Sequence, residues 1–224
     1  MQIWLARHAR PLIAPGVCYG ALDIAADADA TALAAAQLAA VLPHAIAVHY
    51  SPALRCRQLA DAVHAARPDL AMLCAPDLRE IDFGHWEGQR WDTIAPSELA
   101  AWTDDFENYV CGGNGECTGD FVRRVLRYLQ QCDQQMRSLK PGAAKNHDAH
   151  AVLPAIGWIT HAGVMRATAW LMQQVDPEMA GLPETPASPP RRLGLRADAW
   201  PLHAPHFGQY QLLDWTARVP PPHC

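Results

Sequence analysis

Two histidines and two arginines stand at points in the sequence where chemistry on an anion could take place. Arg7 and His8 directly follow one short apolar run, and His161 follows another. Arg55 lies in the predicted first turn of a helix, where its guanidinium can reach back to the end of the preceding strand. A neutral imidazole can attack phosphorus, and guanidinium groups match a phosphate dianion in charge and hydrogen-bond geometry. The four side chains are therefore typical of a pocket for a phosphate monoester, provided that the fold brings them together.

Each of these residues also has an ordinary structural explanation. A histidine after a strand is more often a hydrogen-bonded structural residue, and Arg55 could pair with a surface carboxylate. An arginine in a first helical turn, however, adds charge where the helix dipole is already positive, and a bound anion would remove that conflict. Arg57, two residues further on, should point in another direction. Two strand-end histidines together with one first-turn arginine favour a common anion site over independent structural roles.

A proton donor for such a reaction is expected in the segment 77–88, which mixes carboxylates with large apolar groups. Apolar neighbours can partly desolvate a carboxylate, and desolvation raises its pKa towards the range useful for donating a proton. Glu80, Asp82 and Glu87 all satisfy this requirement. The residues alone do not choose among the three.

The elements predicted around these residues alternate between strands and helices. We predict strands at 3–6, 45–50, 71–74, 156–160 and 208–215, and helices at 31–42, 51–66, 96–102, 118–138 and 164–175. Ser51 and Pro52 are expected to be the N-cap and the first residue of the second helix. Because open α/β sheets bind ligands at the carboxyl ends of their strands, this order predicts an α/β fold with its site at that edge.

The composition is typical of a globular protein. With 224 residues, of which 50% are hydrophobic and 18% charged, the chain can bury a sizeable core. We predict one domain over 1–224, with a proline-rich surface excursion at about 177–205. A net charge of −5 argues against nucleic acid as a partner, since binding it requires a basic face. The sequence contains neither a long apolar run nor a secretory signal, so we expect no membrane association and a cytoplasmic location.

The cysteines and the remaining histidines do not indicate a metal site. The seven cysteines are scattered, odd in number and without a CxxC pair, so we expect reduced thiols. Cys111 and Cys117 flank a glycine-bearing loop, but no nearby ligands complete a tetrahedral set. His203, His206 and His223 stand among prolines and are expected to be loop residues. We therefore expect neither a metal nor a cofactor.

Four segments, LARHARP, SPALRCRQLA, LREIDFGHWEG and ITHAG, resemble in their order the motifs of the histidine phosphatase superfamily, the phosphoglycerate mutase-like proteins. This resemblance implies a three-layer α/β/α fold with a mostly parallel mixed central sheet. In that family a histidine of the first motif is phosphorylated, and the resemblance assigns this role to His8. It assigns phosphate binding to Arg7, Arg55 and His161. It also assigns the role of proton donor to Glu80.

Further segments narrow the resemblance, which runs from residue 1 to about residue 175. GVCYGALD, EIDFGHWEG and NGECTGDFVRRV resemble α-ribazole phosphatases, which remove the 5′-phosphate from α-ribazole phosphate or its corrinoid conjugate in cobalamin nucleotide-loop assembly. This likeness implies that Tyr19, Gly20 and Ala162 contact the substrate. The asparagine-glutamate-arginine string typical of the mutase acid motif is absent, which favours a phosphatase. A broad sugar or nucleotide phosphatase and a phosphoglycerate mutase-like enzyme remain alternatives.

Four positions depart from the family pattern. Ala9 and Ala162 replace the glycines that follow the two histidines, Leu59 replaces a frequent threonine, and Cys117 stands where a serine usually follows the glutamate. None of these changes removes a reacting group. The resemblance therefore implies a metal-independent phosphomonoesterase with a phosphohistidine intermediate and a small-molecule phosphate monoester as its partner. A catalytically idle protein that binds a phosphate ligand is the alternative from another class, and the sequence indicates no oligomeric state.

Overall fold

The computed structural model describes residues 1–138, 154–173 and 192–215. These residues form five strands and five α-helices, connected by loops and short 3-10 turns. In chain order the elements are β1 (Gln2–Arg7), α1 (Ala28–Val41), β2 (Ala47–Tyr50), α2 (Leu54–Ala66), β3 (Ala71–Cys74), α3 (Pro96–Asp104), α4 (Thr118–Ser138), β4 (Ala155–Thr160), α5 (Ala162–Gln173) and β5 (Tyr210–Asp214).

The strands form one mixed sheet in the order β3-β2-β4-β1-β5. The first four strands in this order are parallel, and β5 runs antiparallel to β1 at the edge. The register pairs Arg7 with Thr160, the last residues of β1 and β4. Because these two strands are neighbours that end at the same level, the residues that follow them, His8 and His161, emerge side by side.

Alternate strand residues face two separate apolar clusters, one on each side of the sheet. Ile3 and Leu5 of β1 belong to the cluster that contains α4 and α5. Ala6 and Val48 belong to the cluster that contains α1 and α2. The predicted three-layer α/β/α architecture with a mostly parallel mixed sheet is therefore confirmed.

The predicted start of the second helix was wrong. Helix α2 does not begin at Ser51 and the proline after it but at Leu54, with Ala53 as an N-cap that makes no side-chain hydrogen bond. The Leu54 N–H donates instead to Oδ1 of Asp23 at 2.6 Å. The hydroxyl of Ser51 lies 2.8 Å from Nε2 of His161. A residue predicted to start a helix thus belongs to the candidate site.

The other elements agree with the predictions to within a few residues. Helix α1 begins at Ala28 because Asp27 caps it, with Oδ1 accepting from the Ala30 N–H at 2.8 Å. The predicted end of the fifth helix at residue 175 lies outside the described residues. The part of the predicted excursion between 177 and 191 also lies outside them. No helix in the described part of the chain is both long and apolar enough to cross a membrane.

Candidate active site

The end of β1 places His8 on the carboxyl edge of the sheet, where the side chain is buried. Nδ1 of His8 lies 2.7 Å from the carbonyl oxygen of Ala9. Because a carbonyl oxygen can only accept, Nδ1 carries the proton and Nε2 of the neutral ring keeps its lone pair. Burial, reinforced by the charges of Arg55 and Arg7, lowers the pKa of His8 to about 3. His8 is therefore a neutral imidazole at pH 7, and its Nε2 atom keeps an available lone pair.

The end of β4 places His161 beside His8, with the two ring centroids 5.2 Å apart. Nε2 of His161 lies 2.8 Å from the Ser51 hydroxyl and 3.5 Å from the Cys56 sulfur. Nδ1 is buried and has no hydrogen-bond partner. Burial, together with the charge of Arg55, holds the pKa of His161 well below its ordinary value. A Ser51 hydroxyl that donates to Nε2 would leave a proton on Nδ1 for a bound phosphate oxygen.

The guanidinium groups of Arg7 and Arg55 are oriented by backbone carbonyls. Arg55 is fully buried and donates at 2.7 Å to the carbonyl oxygens of both Leu22 and Gly20. Arg7 donates through Nη1 to the carbonyl oxygen of Pro205 at 3.0 Å. The Nε atoms of both arginines are buried and have no hydrogen-bond partner. An unpaired buried donor is unfavourable. Each of these N–H groups is therefore suited to donate a hydrogen bond to a phosphate oxygen.

The structure brings Tyr19 and Gly20 to the arginines. The Arg55 guanidinium carbon lies 5.5 Å from the centroid of the Tyr19 ring. Burial raises the pKa of the Tyr19 hydroxyl above its ordinary value, although Arg7 opposes that shift, so the hydroxyl is a neutral donor. A Cβ atom at Gly20 would lie 1.9 Å from the carbonyl oxygen of Ile81, so this close approach of two loops requires glycine. Contact of Tyr19 and Gly20 with a substrate stays a prediction.

Among the three candidate acids, Glu80 lies against the first turn of α5. Its Oε2 accepts from the Gly163 N–H at 2.9 Å, and its Oε1 accepts from the Ile81 N–H at 3.1 Å. Burial raises the pKa of Glu80, while these two hydrogen bonds and the charges of Arg55 and Arg7 oppose the shift. A carboxyl group with a raised pKa keeps its proton closer to neutral pH and can donate it.

The other two carboxylates, Glu87 and Asp82, are engaged in holding loops. Glu87 accepts from the backbone N–H groups of Ala21 and Leu22, each at 2.7 Å, and so ties the loop after β1 to the segment 77–88. Asp82 is exposed and accepts from the Gly84 N–H at 2.8 Å within its own turn. The geometry therefore favours Glu80, the residue to which the family resemblance assigned proton donation.

Residues 205–207 lie over the side chains of Arg7 and His8. The Arg7 guanidinium carbon lies 3.9 Å from the centroid of the Phe207 ring, and that centroid lies 5.5 Å from the centroid of the His8 ring. The described part of the predicted excursion, 192–205, thus ends over the site.

A cleft of about 180 Å³ opens beside the candidate acid. Its lining consists of Gly20, Ala21, Asp23, Pro52, Ala53, Arg79 and Glu80. The walls thus carry one cation and one carboxylate in addition to Glu80. An alcohol group held in this cleft would have its ester oxygen within reach of Glu80.

The departures from the family pattern do not fill the pocket with side chains. Ala9 and Leu59 are fully buried and pack in the apolar cluster of α1 and α2. Ala162 is the first residue of α5, and its contact with a substrate stays a prediction. Cys117 immediately precedes α4, and its sulfur accepts from the Asp120 N–H at 3.4 Å. Across 1–138, 154–173 and 192–215, no cluster of three or more histidine, cysteine or acidic residues is arranged to hold a metal ion.

Ser51 and Phe207 contact the candidate site residues but were not predicted from the sequence. Ser51 follows β2 in the same way that His8 follows β1, so the strand-end signal that identified the histidines would also have identified the serine. Phe207 carries no such signal. Its place over Arg7 depends on how a long connection folds back before β5.

The fold and the site together define a class of α/β proteins in which two histidines and two arginines converge at the carboxyl edge of a mostly parallel sheet. The family model of the histidine phosphatase superfamily (branch 1) matches residues 3–189, and the chain belongs to this superfamily.

Solved structures with the same fold include proteins from two bacteria. TTHB049 from Thermus thermophilus is 26% identical over 98% of this chain and 96% of its own, with a TM-score of 0.60. The phosphoglycerate mutase from the same organism is 29% identical over 78% of this chain and 85% of its own, with a TM-score of 0.57. An Escherichia coli K-12 protein proposed to be an alpha-ribazole-5′-P phosphatase is 22% identical over 78% of this chain and 80% of its own, with a TM-score of 0.60, a similarity of fold alone. No curated protein matches the sequence.

Proposed function

We propose that this protein is a metal-independent phosphomonoesterase that acts through a phosphohistidine at His8. The observation that carries the proposal is the hydrogen bond from Nδ1 of His8 to the carbonyl oxygen of Ala9, which leaves Nε2 as the unprotonated atom. The neighbouring His161 and the two arginines supply donors for the phosphate oxygens. Membership of the histidine phosphatase superfamily supports the same reaction class.

In the first step, Nε2 of His8 attacks phosphorus, and a nitrogen–phosphorus bond forms as the bond from phosphorus to the ester oxygen breaks. Arg7, Arg55 and His161 donate hydrogen bonds to the non-bridging oxygens, and these donors stabilise the charge of the transition state. Glu80 gives its proton to the leaving oxygen, so the alcohol departs as a neutral molecule. Proton donation of this kind contributes about 10²- to 10⁴-fold to a rate.

In the second step, the Glu80 carboxylate accepts a proton from water while the water oxygen attacks phosphorus. The nitrogen–phosphorus bond breaks, its electron pair returns to Nε2 of His8, and inorganic phosphate is released. The protonated Glu80 and the neutral imidazole are thereby restored for the next cycle. The scheme uses side chains of this chain alone and routes no step through a metal or a cofactor.

As the substrate we propose α-ribazole 5′-phosphate or its corrinoid conjugate. The segments GVCYGALD, EIDFGHWEG and NGECTGDFVRRV support this choice, and the E. coli neighbour in fold has been given a matching role. The cleft adds a chemical argument, because Arg79 can donate to a sugar hydroxyl and Asp23 can accept from one.

A trapping experiment tests the proposal. The purified protein is incubated with a ³²P-labelled phosphate ester in EDTA, quenched in alkali and mapped for phosphate that is stable to base and labile to acid. We expect label on His8, turnover of para-nitrophenyl phosphate, and loss of both in His8→Ala. A screen of α-ribazole 5′-phosphate, sugar phosphates and nucleotides then ranks the substrates by kcat/KM.

The exposed residue His44 provides a matched control, because His44→Ala removes an imidazole from the surface and should leave labelling unchanged. Equal turnover in the wild type and in His8→Ala would refute a phosphohistidine mechanism. Saturable binding of phosphate esters with neither label nor turnover would establish the alternative, a catalytically idle phosphate-binding protein.

A further inference from the structure

We infer that Arg124 and Glu116 are positioning residues that hold the proton donor Glu80 in place, an inference that rests on the proposed function. Neither residue touches the phosphate pocket. Both act on the backbone of the acid segment 77–82, which approaches the site from the side of helix α4.

Arg124 projects from α4 and makes four hydrogen bonds with its guanidinium group. Nε and Nη2 form a bidentate pair with the Glu116 carboxylate, at 3.1 and 2.7 Å. Nη1 donates to the carbonyl oxygens of Asp77 and Arg79, at 2.7 and 3.0 Å. Arg79 immediately precedes the proton donor, so the guanidinium group directly fixes the peptide that leads into it.

Two further contacts hold the same segment. The backbone N–H of Glu116 donates to the carbonyl oxygen of Asp82 at 2.8 Å. The Thr160 hydroxyl donates to the carbonyl oxygen of Leu78 at 2.8 Å from the end of β4. The segment on both sides of Glu80 is therefore held by its carbonyl oxygens, while the Glu80 carboxylate itself is oriented by backbone N–H groups.

No other residue type can reproduce the contacts of Arg124. The planar guanidinium group binds a carboxylate in a bidentate pair and still presents Nη1 to two carbonyl oxygens, whereas a lysine ammonium is a single point charge. The side chain of Arg124 is only 11% exposed, so its removal leaves the Glu116 carboxylate and two carbonyl oxygens short of donors. The acid segment would then shift, and a displacement of about 1 Å can cost about 10²-fold in rate.

The dependence of the rate on the leaving group separates positioning of an acid from general loss of structure. A para-nitrophenolate leaves without a proton, whereas the alkoxide of ribose 5-phosphate requires one. In Arg124→Gln we expect kcat for ribose 5-phosphate to fall by about 10- to 100-fold and kcat for para-nitrophenyl phosphate to fall by less than about 3-fold. KM for para-nitrophenyl phosphate should change little, because the phosphate-binding groups are untouched.

Arg123, the neighbouring residue on α4, provides the matched control. It is equally buried but donates to Glu107 at 2.9 Å, in a different part of the molecule, so Arg123→Gln should affect both esters alike. Equal losses on the two esters in Arg124→Gln, or no loss on either, would overturn the inference. If this variant does not fold, the milder changes Arg124→Lys and Glu116→Gln are judged by the same ratio. Failure of the wild type to hydrolyse either ester would instead refute the proposed function.

Discussion

Replacement of Gly163 by alanine should separate the stability of this protein from its activity. Gly163 lies in the first turn of α5, and its N–H donates to Oε2 of Glu80. A Cβ atom at this position would lie 2.0 Å from Oε1 of Glu80. A Cβ atom essentially never lies closer than 3.0 Å to another heavy atom, so the carboxylate must move by about 1 Å.

The expected magnitudes follow from this displacement. A shift of about 1 Å in a group that transfers a proton costs about 10²-fold in rate, so kcat for alkyl phosphates should fall by about that factor. Alanine is favoured over glycine in a helix by up to about 1 kcal/mol, which opposes the cost of moving one carboxylate. The free energy of unfolding of Gly163→Ala should therefore remain within about 1 kcal/mol of the wild-type value.

Paired measurements of kcat and urea unfolding test this prediction. Activity is measured with ribose 5-phosphate and with para-nitrophenyl phosphate, because only the first ester needs the proton of Glu80. Gly119 is the matched control, since it also lies in the first turn of a helix and its Cβ would meet the Glu107 carbonyl oxygen at 2.8 Å. Gly119→Ala should lower stability without changing the ratio of the two rates. A Gly163→Ala protein with kcat for ribose 5-phosphate within about twofold of wild type would refute the reasoning, because the misplaced acid should cost far more.

Further predictions follow from the buried charges. The free energy of unfolding should fall as the pH drops below about 6.5. The pKa values of His8 and His161 are lowered in the folded protein, so the unfolded chain binds more protons than the folded one in this range. Equal urea midpoints at pH 7.5 and 5.0 would contradict this. Activity on alkyl phosphates should persist to about pH 4, since a pKa of about 3 keeps His8 unprotonated, and should decline as the pH rises through the raised pKa of Glu80. An acidic midpoint near 6.5 in the rate profile would count against a buried neutral nucleophile. Glu107→Gln should lower the free energy of unfolding by about 2–3 kcal/mol, because the buried carboxylate accepts from the backbone N–H groups of 193–195; an unchanged Tm would exclude that role.

The convergence of the candidate site residues could be predicted from the sequence because its signal is local. A histidine directly after an apolar run stands at the end of a strand, and parallel strands bring such ends together, as they do for His8 and His161. The direction of the His8 pKa shift could be predicted from Arg7 and Arg55, which are near it in the site. Burial, the largest cause of that shift, could not, since it depends on how distant segments pack over the imidazole.

The residues that hold the candidate site in place were harder to predict, because their roles depend on contacts between loops. Three carboxylates in the segment 77–88 shared the same local environment in sequence. Only the folded chain shows that Glu87 holds backbone N–H groups while Glu80 lies against α5. Ser51 and the proline after it have the residue types of a helix start, although helix α2 begins only at Leu54. In both cases a residue far along the chain decides the role, and local propensity carries no information about it.

The order of the strands has a consequence for how the protein is made. Gln2 pairs with Ala155 of β4 on one side and with Asp214 of β5 on the other. Strand β1 therefore cannot complete its pairing until these two strands, which are synthesised much later, have left the ribosome. A nascent chain that has not yet reached His161 carries His8 without the second imidazole of the candidate site, and such distant pairings form slowly. The two imidazoles therefore come together late in translation, and the five-stranded sheet is complete only when β5 has been made.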